Sequence, residues 1–232
     1  MAQPQFKGHT KTVLDDPKFK LTCPPLTGQT QRPTLHLYYN INEANPSNSA
    51  PRMVVWLNDG STDPKNSRIT AHIDMAVCLT TLEAIIDASY ALKPEDFTPV
   101  PIQTKRPKDF KNPMGEKVPD AKIVIGVDDK GVFLSLLHWN TSITRLKFYF
   151  GFDDFHAFAV NEEKGQTLSQ FSRYTARAWA KAVRKYMTEQ HDKHWKPWQR
   201  QNSGGGNQGG GGYSNNNNSS GAMADDFGDL DF

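Results

Sequence analysis

Apolar and polar residues alternate along several short stretches of this chain, which is the pattern of β-strands with one buried face. The stretches are 34–41, 52–58, 123–127, 132–139 and 145–152, and 155–160 is a further predicted strand. The first two predict these inward positions: Leu35, Leu37, Tyr39, Ile41, Met53, Val55 and Leu57. Their outward positions include Tyr38, Arg52, Val54 and Trp56. The residues at 128–131 predict a hairpin turn.

The stretch 145–152 has the sharpest alternation in the chain. Its predicted core face is Leu146, Phe148, Phe150 and Phe152, and its predicted outward face is Arg145, Lys147, Tyr149 and Gly151. The outward set places two cations and one tyrosine on an open sheet face.

Two other stretches repeat apolar residues at the three- to four-residue spacing of an α-helix. The first is 71–92, with a predicted buried stripe of Met75, Leu79, Leu82, Ile85, Ile86 and Ser89. The second is 167–190, with a predicted buried stripe of Leu168, Phe171, Thr175, Ala178, Trp179, Ala182, Val183 and Tyr186. The second helix also carries a basic stripe of Arg173, Arg177, Lys181, Arg184 and Lys185. Like charges at this spacing repel, so the stripe fits either an anionic ligand or a solvated helix face.

Between the first helix and the hairpin, 93–120 contains five prolines after Pro94 and is predicted to be a long loop. It carries a basic cluster around one aromatic ring: Lys105, Arg106, Lys108, Phe110 and Lys111. Long loops in compact domains are usually functional or disordered. The cluster therefore fits either a nucleic-acid-binding loop or a solvated surface loop.

Together these elements predict a mainly β fold with helices. We expect an OB-type antiparallel barrel of five to seven strands over residues 1–200, with an inserted helix and a basic C-terminal helix. A mixed sheet with two packed helices is the alternative. The cysteines, Cys23 and Cys78, have no zinc-binding spacing and indicate a reducing compartment. Since neither a signal peptide nor a membrane-spanning run is found, we expect a cytoplasmic protein with no membrane partner.

Charge divides the chain into three parts that the net charge of +2 conceals. Residues 1–164 carry 19 Lys and Arg against 19 Asp and Glu, and residues 165–200 carry 8 against 2. Residues 201–232 carry 0 against 4. A neutral body is thus followed by a basic segment and an acidic end. The expected ligand of the basic segment is a polyanion.

The acidic end consists of a linker, 201–224, rich in Gly, Asn and Ser, and a tail, 225–232. A linker of this composition behaves as a flexible coil with a span of roughly 25 Å. The tail combines carboxylates with bulky apolar side chains: Asp225, Asp226, Phe227, Asp229, Leu230, Asp231 and Phe232. A solubilising tail accounts for the Asp residues but not for the repeated apolar ones. We therefore predict that the tail binds a partner protein, and its acidity also allows it to fold back on the chain's own basic surface.

Proteins that bind single-stranded nucleic acid combine cations that follow the backbone with aromatic rings on which bases stack. This chain offers that combination on the outward strand faces, in the basic loop and on the last helix with its Trp-rich end. The predicted DNA-binding residues are Tyr38, Trp56, Lys105, Arg106, Lys108, Phe110, Arg145, Lys147, Tyr149, Arg173, Arg177, Lys181, Arg184, Trp195 and Trp198. Any one of the outward aromatic residues can instead belong to the core.

The layout resembles the single-stranded DNA-binding proteins of tailed bacteriophages: one domain over about 1–200, a Gly- and Asn-rich linker, and the tail DDFGDLDF with its terminal Phe232. The resemblance implies that the domain coats single-stranded DNA during replication, recombination and repair in the cytoplasm of the bacterial host. It also implies that the tail recruits replication or recombination proteins and competes with DNA for the binding groove. The basic last helix goes beyond this pattern and leaves open an added affinity for duplex DNA.

Two other functions compete with this interpretation. An RNA-binding or strand-annealing protein on the same fold is one, since the sequence does not separate DNA from RNA. A metal-dependent nuclease is the other, because Asp-Asp pairs and seven His residues occur in the chain. However, the pairs that start at Asp128 and Asp153 begin predicted turns, and His191 and His194 lack a third ligand at a suitable spacing. We therefore predict a protein that is not an enzyme and has no cofactor or metal site.

Overall fold

The structure of the chain is a computed structural model, and it describes residues 20–26, 28–57, 68–109, 115–138, 146–151 and 167–197. All of these residues belong to one unit, Met1–Trp198. The linker, the tail and the predicted strand at 155–160 lie outside the described residues, so what the sequence predicts for them stays a prediction.

The first sheet contains four antiparallel strands in the order β1 (Leu21–Thr22), β2 (Thr34–Asn40), β3 (Ala50–Trp56) and β4 (Arg68–His72). The predicted alternation of β2 and β3 is confirmed for most positions. The side chains that face the core are Leu35, Leu37, Tyr39, Met53 and Val55, and Leu57 is buried just beyond β3.

One position near this sheet differs from the prediction, and one correctly predicted outward position is nevertheless buried. Ile41 is predicted to face the core but is 41% exposed, because β2 ends at Asn40. Val54 is predicted to face outward and does so, yet it is buried. Val54 lies on β3, between His36 of β2 and Thr70 of β4 in register. Because its side chain is small, these two neighbours cover it.

The second sheet also contains four antiparallel strands, in the order β5 (Val100–Pro107), β6 (Lys117–Asp128), β7 (Gly131–His138) and β8 (Leu146–Tyr149). The predicted hairpin between β6 and β7 is confirmed. Gly131 closes it with a φ of 121°, a conformation that favours glycine. The core-facing positions include Ile123, Ile125, Val127, Leu134, Leu146, Phe148 and Phe150.

The predicted long loop over 93–120 is wrong, because this segment contains β5 and the first part of β6. Among the described strands, β5 pairs only with β6 and is therefore an edge strand. Proline is tolerated in edge strands, where a missing N–H faces no partner, so Pro101 and Pro107 do not prevent the strand from forming. A bulge between Gln103 and Lys105 separates its first half from its basic second half.

Helix α1 spans Met75–Ala88 and α2 spans Leu168–His194. Both helices begin with a side-chain cap, since Asp74 and Thr167 each accept a backbone N–H from the first turn. The predicted helix over 71–92 is too long at its start, because 68–72 form β4 instead. In β4, Ile69 and Ala71 face the core.

The buried stripe of α2 only partly matches its prediction. Trp179 and Val183 are buried as predicted, but Ala178 and Ala182 are exposed. The observed stripe is Ser172, Ala176, Trp179, Ala180, Val183 and Met187. Alanine has almost no side chain to bury, so its position indicates the orientation of a helix poorly.

One hydrophobic core is shared by the sheets and the helices. Helix α1 packs against α2, β4 approaches β6 and β7, and the ring centroids of Phe150 and Trp179 lie 5.3 Å apart. The fold is thus mixed, with two antiparallel four-stranded sheets and two helices. The described strands number eight in two sheets rather than five to seven in one barrel, so barrel closure and the OB topology stay predictions. Over the same part of the chain, neither helix combines the length and the apolarity needed to span a bilayer.

Gly126 allows a buried ring to lie flat against the second sheet. It pairs with Phe133 across the β6–β7 hairpin, and a β-carbon added at Gly126 would come within 2.5 Å of the Phe133 ring. We therefore expect Gly126→Ala to lower the free energy of unfolding by about 1–3 kcal/mol through overpacking. Gly151→Ala is the matched control, since no described atom lies within 4 Å of its added β-carbon. Urea denaturation measures both variants, and equal stabilities would contradict the prediction.

Candidate nucleic-acid interface

The outer face of the first sheet collects aromatic and cationic side chains from three strands. Because successive side chains point to opposite faces of a sheet, the residues that do not enter the core share this face. Strand register places Arg52 between Tyr38 and His72, and it places Trp56 beside Arg68. We call these five residues the outer patch.

One end of the outer patch presents an exposed aromatic ring. Trp56 is 38% exposed, and the guanidinium carbon of Arg68 lies 5.7 Å from the centroid of its ring. A cation in this position is attracted to the electron-rich face of the indole. Trp56 therefore offers a surface for stacking with a positive charge beside it.

Hydrogen bonds organise the next row of the outer patch. Arg52 Nη1 lies 3.5 Å from His72 Nε2, and His72 Nδ1 lies 3.0 Å from Asp120 Oδ2. The same carboxylate oxygen accepts the backbone N–H of His72 at 2.8 Å. Asp120 belongs to β6 and is buried, so the outer patch is connected to the second sheet through it.

Arg106 of β5 extends this surface. Its Nε lies 3.5 Å from Asp120 Oδ1, and its side chain is 30% exposed. The preceding residue, Lys105, is exposed. The structure thus places three predicted DNA-binding residues, Tyr38, Trp56 and Arg106, on one surface.

Lys108 follows β5 and has a partner of its own. Its Nζ lies 2.8 Å from Glu116 Oε2, and both side chains are mostly exposed. Exposed ion pairs contribute little to stability, so this pair leaves Lys108 able to exchange Glu116 for another anion.

The strands of the outer patch contain no acidic residue. The sequences of β2, β3 and β4 are TLHLYYN, APRMVVW and RITAH. The carboxylate that the patch contacts, Asp120, is 1% exposed. The solvent-facing side of these strands therefore carries positive charge next to aromatic rings.

A second cluster surrounds Asp128 on the outer face of the second sheet. Its carboxylate accepts Lys147 Nζ at 2.7 Å and the Tyr149 hydroxyl at 2.8 Å. Lys147 Nζ also lies 4.3 Å from the centroid of the Phe133 ring. The polar atoms of Lys147 and Tyr149, two predicted DNA contacts, are thus engaged within the fold, on the edge of the sheet opposite β5.

The contacts of this cluster shift two pKa values. Burial acts to raise the pKa of Asp128, but hydrogen bonds from Lys147, Tyr149 and the backbone of Lys130 outweigh burial and lower the pKa. Burial and the neighbouring carboxylate raise the pKa of Tyr149. Both shifts favour the ionised carboxylate and the protonated phenol that the hydrogen bond requires.

Two arginines of α2 hold the C-terminal cap of α1 and the segment that follows it. Arg173 Nη1 donates to the carbonyl oxygens of Ala91 and Leu92 at 3.1 and 2.8 Å. Arg177 donates from Nε to Ser89 Oγ at 3.0 Å and from Nη2 to Ser89 O at 3.1 Å. Carbonyls at a helix end lack intrahelical partners and carry partial negative charge. These guanidiniums, predicted as DNA contacts, therefore dock α2 on α1.

The other predicted contacts of α2 have varied surroundings. Arg184 forms an ion pair with Glu83 of α1, whereas Lys181 is exposed. Trp195 is 40% exposed and stacks on His191 with 5.3 Å between the ring centroids. Three further predicted DNA contacts and the whole tail lie outside the described residues: Phe110, Arg145, Trp198 and 225–232.

Three residues of the outer patch are not among the DNA-binding residues predicted from the sequence. Arg52 is predicted to face outward but not to bind, and Arg68 and His72 lie in β4, for which the sequence pattern predicts no strand. The available signal was the alternation of β4, in which Ile69 and Ala71 separate polar neighbours. The helical pattern that begins close to Ala71 obscured it.

Comparisons with protein-family models, with curated proteins and with solved structures found no match for this chain. Within the ranges that the structure describes, no three His, Cys, Asp or Glu side chains are grouped so that they could hold a metal ion. The candidate site is therefore defined by its own geometry, a positively charged sheet face with an exposed indole ring.

The lowered pKa of Asp128 makes part of the stability depend on pH. A carboxylate with a lower pKa in the folded chain stabilises the fold above its unfolded pKa, and this contribution is lost as the pH falls through the folded pKa. We expect Asp128→Asn to lower the free energy of unfolding at about pH 7 by about 0.5–1.5 kcal/mol. The difference from the wild type should shrink toward about pH 3.

Urea denaturation at both pH values measures this effect. Glu116→Gln is the control, because its exposed pair with Lys108 should contribute little at either pH. A difference between Asp128→Asn and the wild type that is the same at both pH values would show that ionisation of Asp128 is not the cause.

Proposed function

We propose that this protein binds single-stranded DNA without sequence preference and protects it during DNA replication, recombination and repair. The observation that carries this proposal is the outer patch, in which the rings of Tyr38 and Trp56 stand among cations on strands without acidic residues. Arg106 extends the positive surface onto the second sheet.

A single strand on this surface would direct its phosphates to the arginines and its bases to the rings. Stacking of one base on an aromatic side chain contributes about 1–3 kcal/mol and accepts any base, since every base has a π face. Contacts to phosphate carry no sequence information. Binding is then sequence-independent and weakens with salt. An OB-type barrel, whose sheet face binds oligonucleotides, is the topology we propose for the strands.

We propose that the tail, 225–232, recruits replication or recombination proteins and competes with DNA for the positive surface. Its carboxylates resemble a row of phosphates in charge, and Phe227, Leu230 and Phe232 provide apolar anchors for a partner. This division of roles is the one implied by the resemblance to the proteins of tailed bacteriophages. The place of action is then the cytoplasm of the bacterial host.

RNA, duplex DNA and catalysis are the alternatives that binding experiments must separate. Discrimination between DNA and RNA depends on contacts at the 2′ position, so competition between matched oligomers decides it. Exposed Lys181 and Lys185 on α2 are the side chains that we propose for any added contact to duplex DNA. A nuclease would degrade the strand only with a divalent ion, whereas a coating protein leaves it intact and binds it in the presence of a chelator.

Trp56 provides the sharpest test of the interface. Trp56→Ala removes one stacking surface, so we expect the affinity for an oligo-dT strand to fall about 5- to 100-fold, while Trp56→Phe keeps most of it. Tyr90→Ala is the matched control, because Tyr90 is also an exposed ring but lies beside Arg177 at the end of α1. Fluorescence anisotropy measures the affinities. Full affinity in Trp56→Ala would exclude the outer patch as the binding site.

A chain that ends at Ser220 tests the role of the tail. Because the tethered acidic competitor is removed, we expect it to bind oligo-dT more tightly than the full chain does, by a margin that shrinks as salt screens the charges. Trp fluorescence titrations with oligo-dT and with duplex, each at two salt concentrations, measure this. A full-length variant with the four tail Asp residues changed to Asn separates charge from length. Unchanged affinity after truncation would leave the tail only as a partner-binding segment.

A further inference from the structure

Four polar side chains form a continuous series of contacts from the first sheet to the second: Arg52, His72, Asp120 and Arg106. The distances are 3.5 Å from Arg52 Nη1 to His72 Nε2, 3.0 Å from His72 Nδ1 to Asp120 Oδ2, and 3.5 Å from Asp120 Oδ1 to Arg106 Nε. The residues come from β3, β4, β6 and β5 in that order. We call this series the Asp120 bridge.

The donors and acceptors of the Asp120 bridge define one protonation state. A guanidinium can only donate hydrogen bonds, so His72 Nε2 must accept from Arg52. The proton of the neutral imidazole is then on Nδ1, where it is donated to the ionised carboxylate of Asp120. The backbone N–H of His72 donates to the same carboxylate oxygen at 2.8 Å. This second contact holds the histidine in place.

Burial differs sharply along the Asp120 bridge. Asp120 is 1% exposed, whereas the side chains of His72 and Arg106 are each 30% exposed. A buried carboxylate must remain paired and hydrogen-bonded, and the groups that pair with this one extend to the surface. Asp120 is therefore placed to orient cations that a ligand can reach while remaining out of reach itself.

We propose that Asp120 is a positioning residue of the nucleic-acid interface. It orients Arg106 directly and Arg52 through His72, so that cations from both sheets meet one phosphate backbone. This inference rests on the proposed function. It adds the group that fixes the direction of these cations.

Asp120→Asn tests the positioning role with little change of shape. An amide cannot replace both oxygens of the carboxylate, so we expect the affinity for oligo-dT to fall about 3- to 10-fold. The slope of log affinity against log salt should become shallower by about 0.7 for each phosphate that the variant no longer neutralises. Asp74→Asn is the matched control, because it removes the same charge and leaves a good helix cap. Circular dichroism establishes that each variant is folded at the assay temperature.

A pair of substitutions at His72 tests the link between Asp120 and Arg52 and remains informative if Asp120→Asn does not fold. In His72→Gln, glutamine can donate to Asp120 from its nitrogen and accept from Arg52 at its oxygen, so we expect its affinity to lie within about twofold of the wild type. His72→Ala removes both side-chain contacts, so we expect its affinity to fall about 3- to 10-fold.

Nitrogen-15 NMR of the histidine-labelled full chain observes the Asp120 bridge without nucleic acid. At about pH 8, His72 should carry its proton on Nδ1 in the wild type, and Asp120→Asn should lose this preference. The inference is overturned if the wild type binds single strands but Asp120→Asn and His72→Ala match it in affinity and salt slope. If the wild type binds no single strand, the proposed function fails and the positioning role fails with it, whatever the NMR spectrum shows.

Discussion

The hydrogen bond between the backbone N–H of His72 and the carboxylate of Asp120 connects the two halves of this fold. Backbone donors removed from water must find acceptors, and here an edge strand of the first sheet finds its acceptor on β6 of the second, at 2.8 Å. The two sheets also share one hydrophobic core. The same carboxylate contacts the histidine ring and Arg106. A polar interaction that joins the sheets therefore also shapes the surface that we propose as the nucleic-acid interface.

The same requirement for partners explains how the protein uses its other charges. Arg177 binds the C-cap residue of α1, Arg173 binds two carbonyls just after it, and Lys147 is held by Asp128 together with Tyr149. The sequence predicts that each of these cations binds an anion, but in the structure each of them contacts an oxygen atom of the protein itself. On the outer patch, by contrast, the strands bring no carboxylate of their own. Arg52 and Arg68 therefore contact His72 and the Trp56 ring rather than a carboxylate of their own strands.

Several elements could be predicted from the sequence because their signals are local. The alternation of β2 and β3 and the β6–β7 hairpin follow from side-chain period and turn residues, and both helices follow from their apolar spacing. The segment 93–120 could not be predicted in this way, because the prolines of β5 are compatible with a strand only when that strand lies at an edge. β4 was missed since its five residues adjoin a helical pattern. The predicted buried stripe of α2 is wrong at Ala178 and Ala182, because alanine indicates the orientation of a helix poorly.

The amino-acid pattern alone was enough to establish which residues of β2 and β3 point outward, and it therefore identified Tyr38 and Trp56 correctly as outward side chains. It also established the separation of charge into a neutral body, a basic segment and an acidic tail. Only the folded structure shows which cations contact other groups of the protein and which lie on the outer patch. The deciding partners are distant in sequence, 48 residues for His72 with Asp120 and 88 residues for Arg177 with Ser89, and such distances are beyond the reach of any local periodicity.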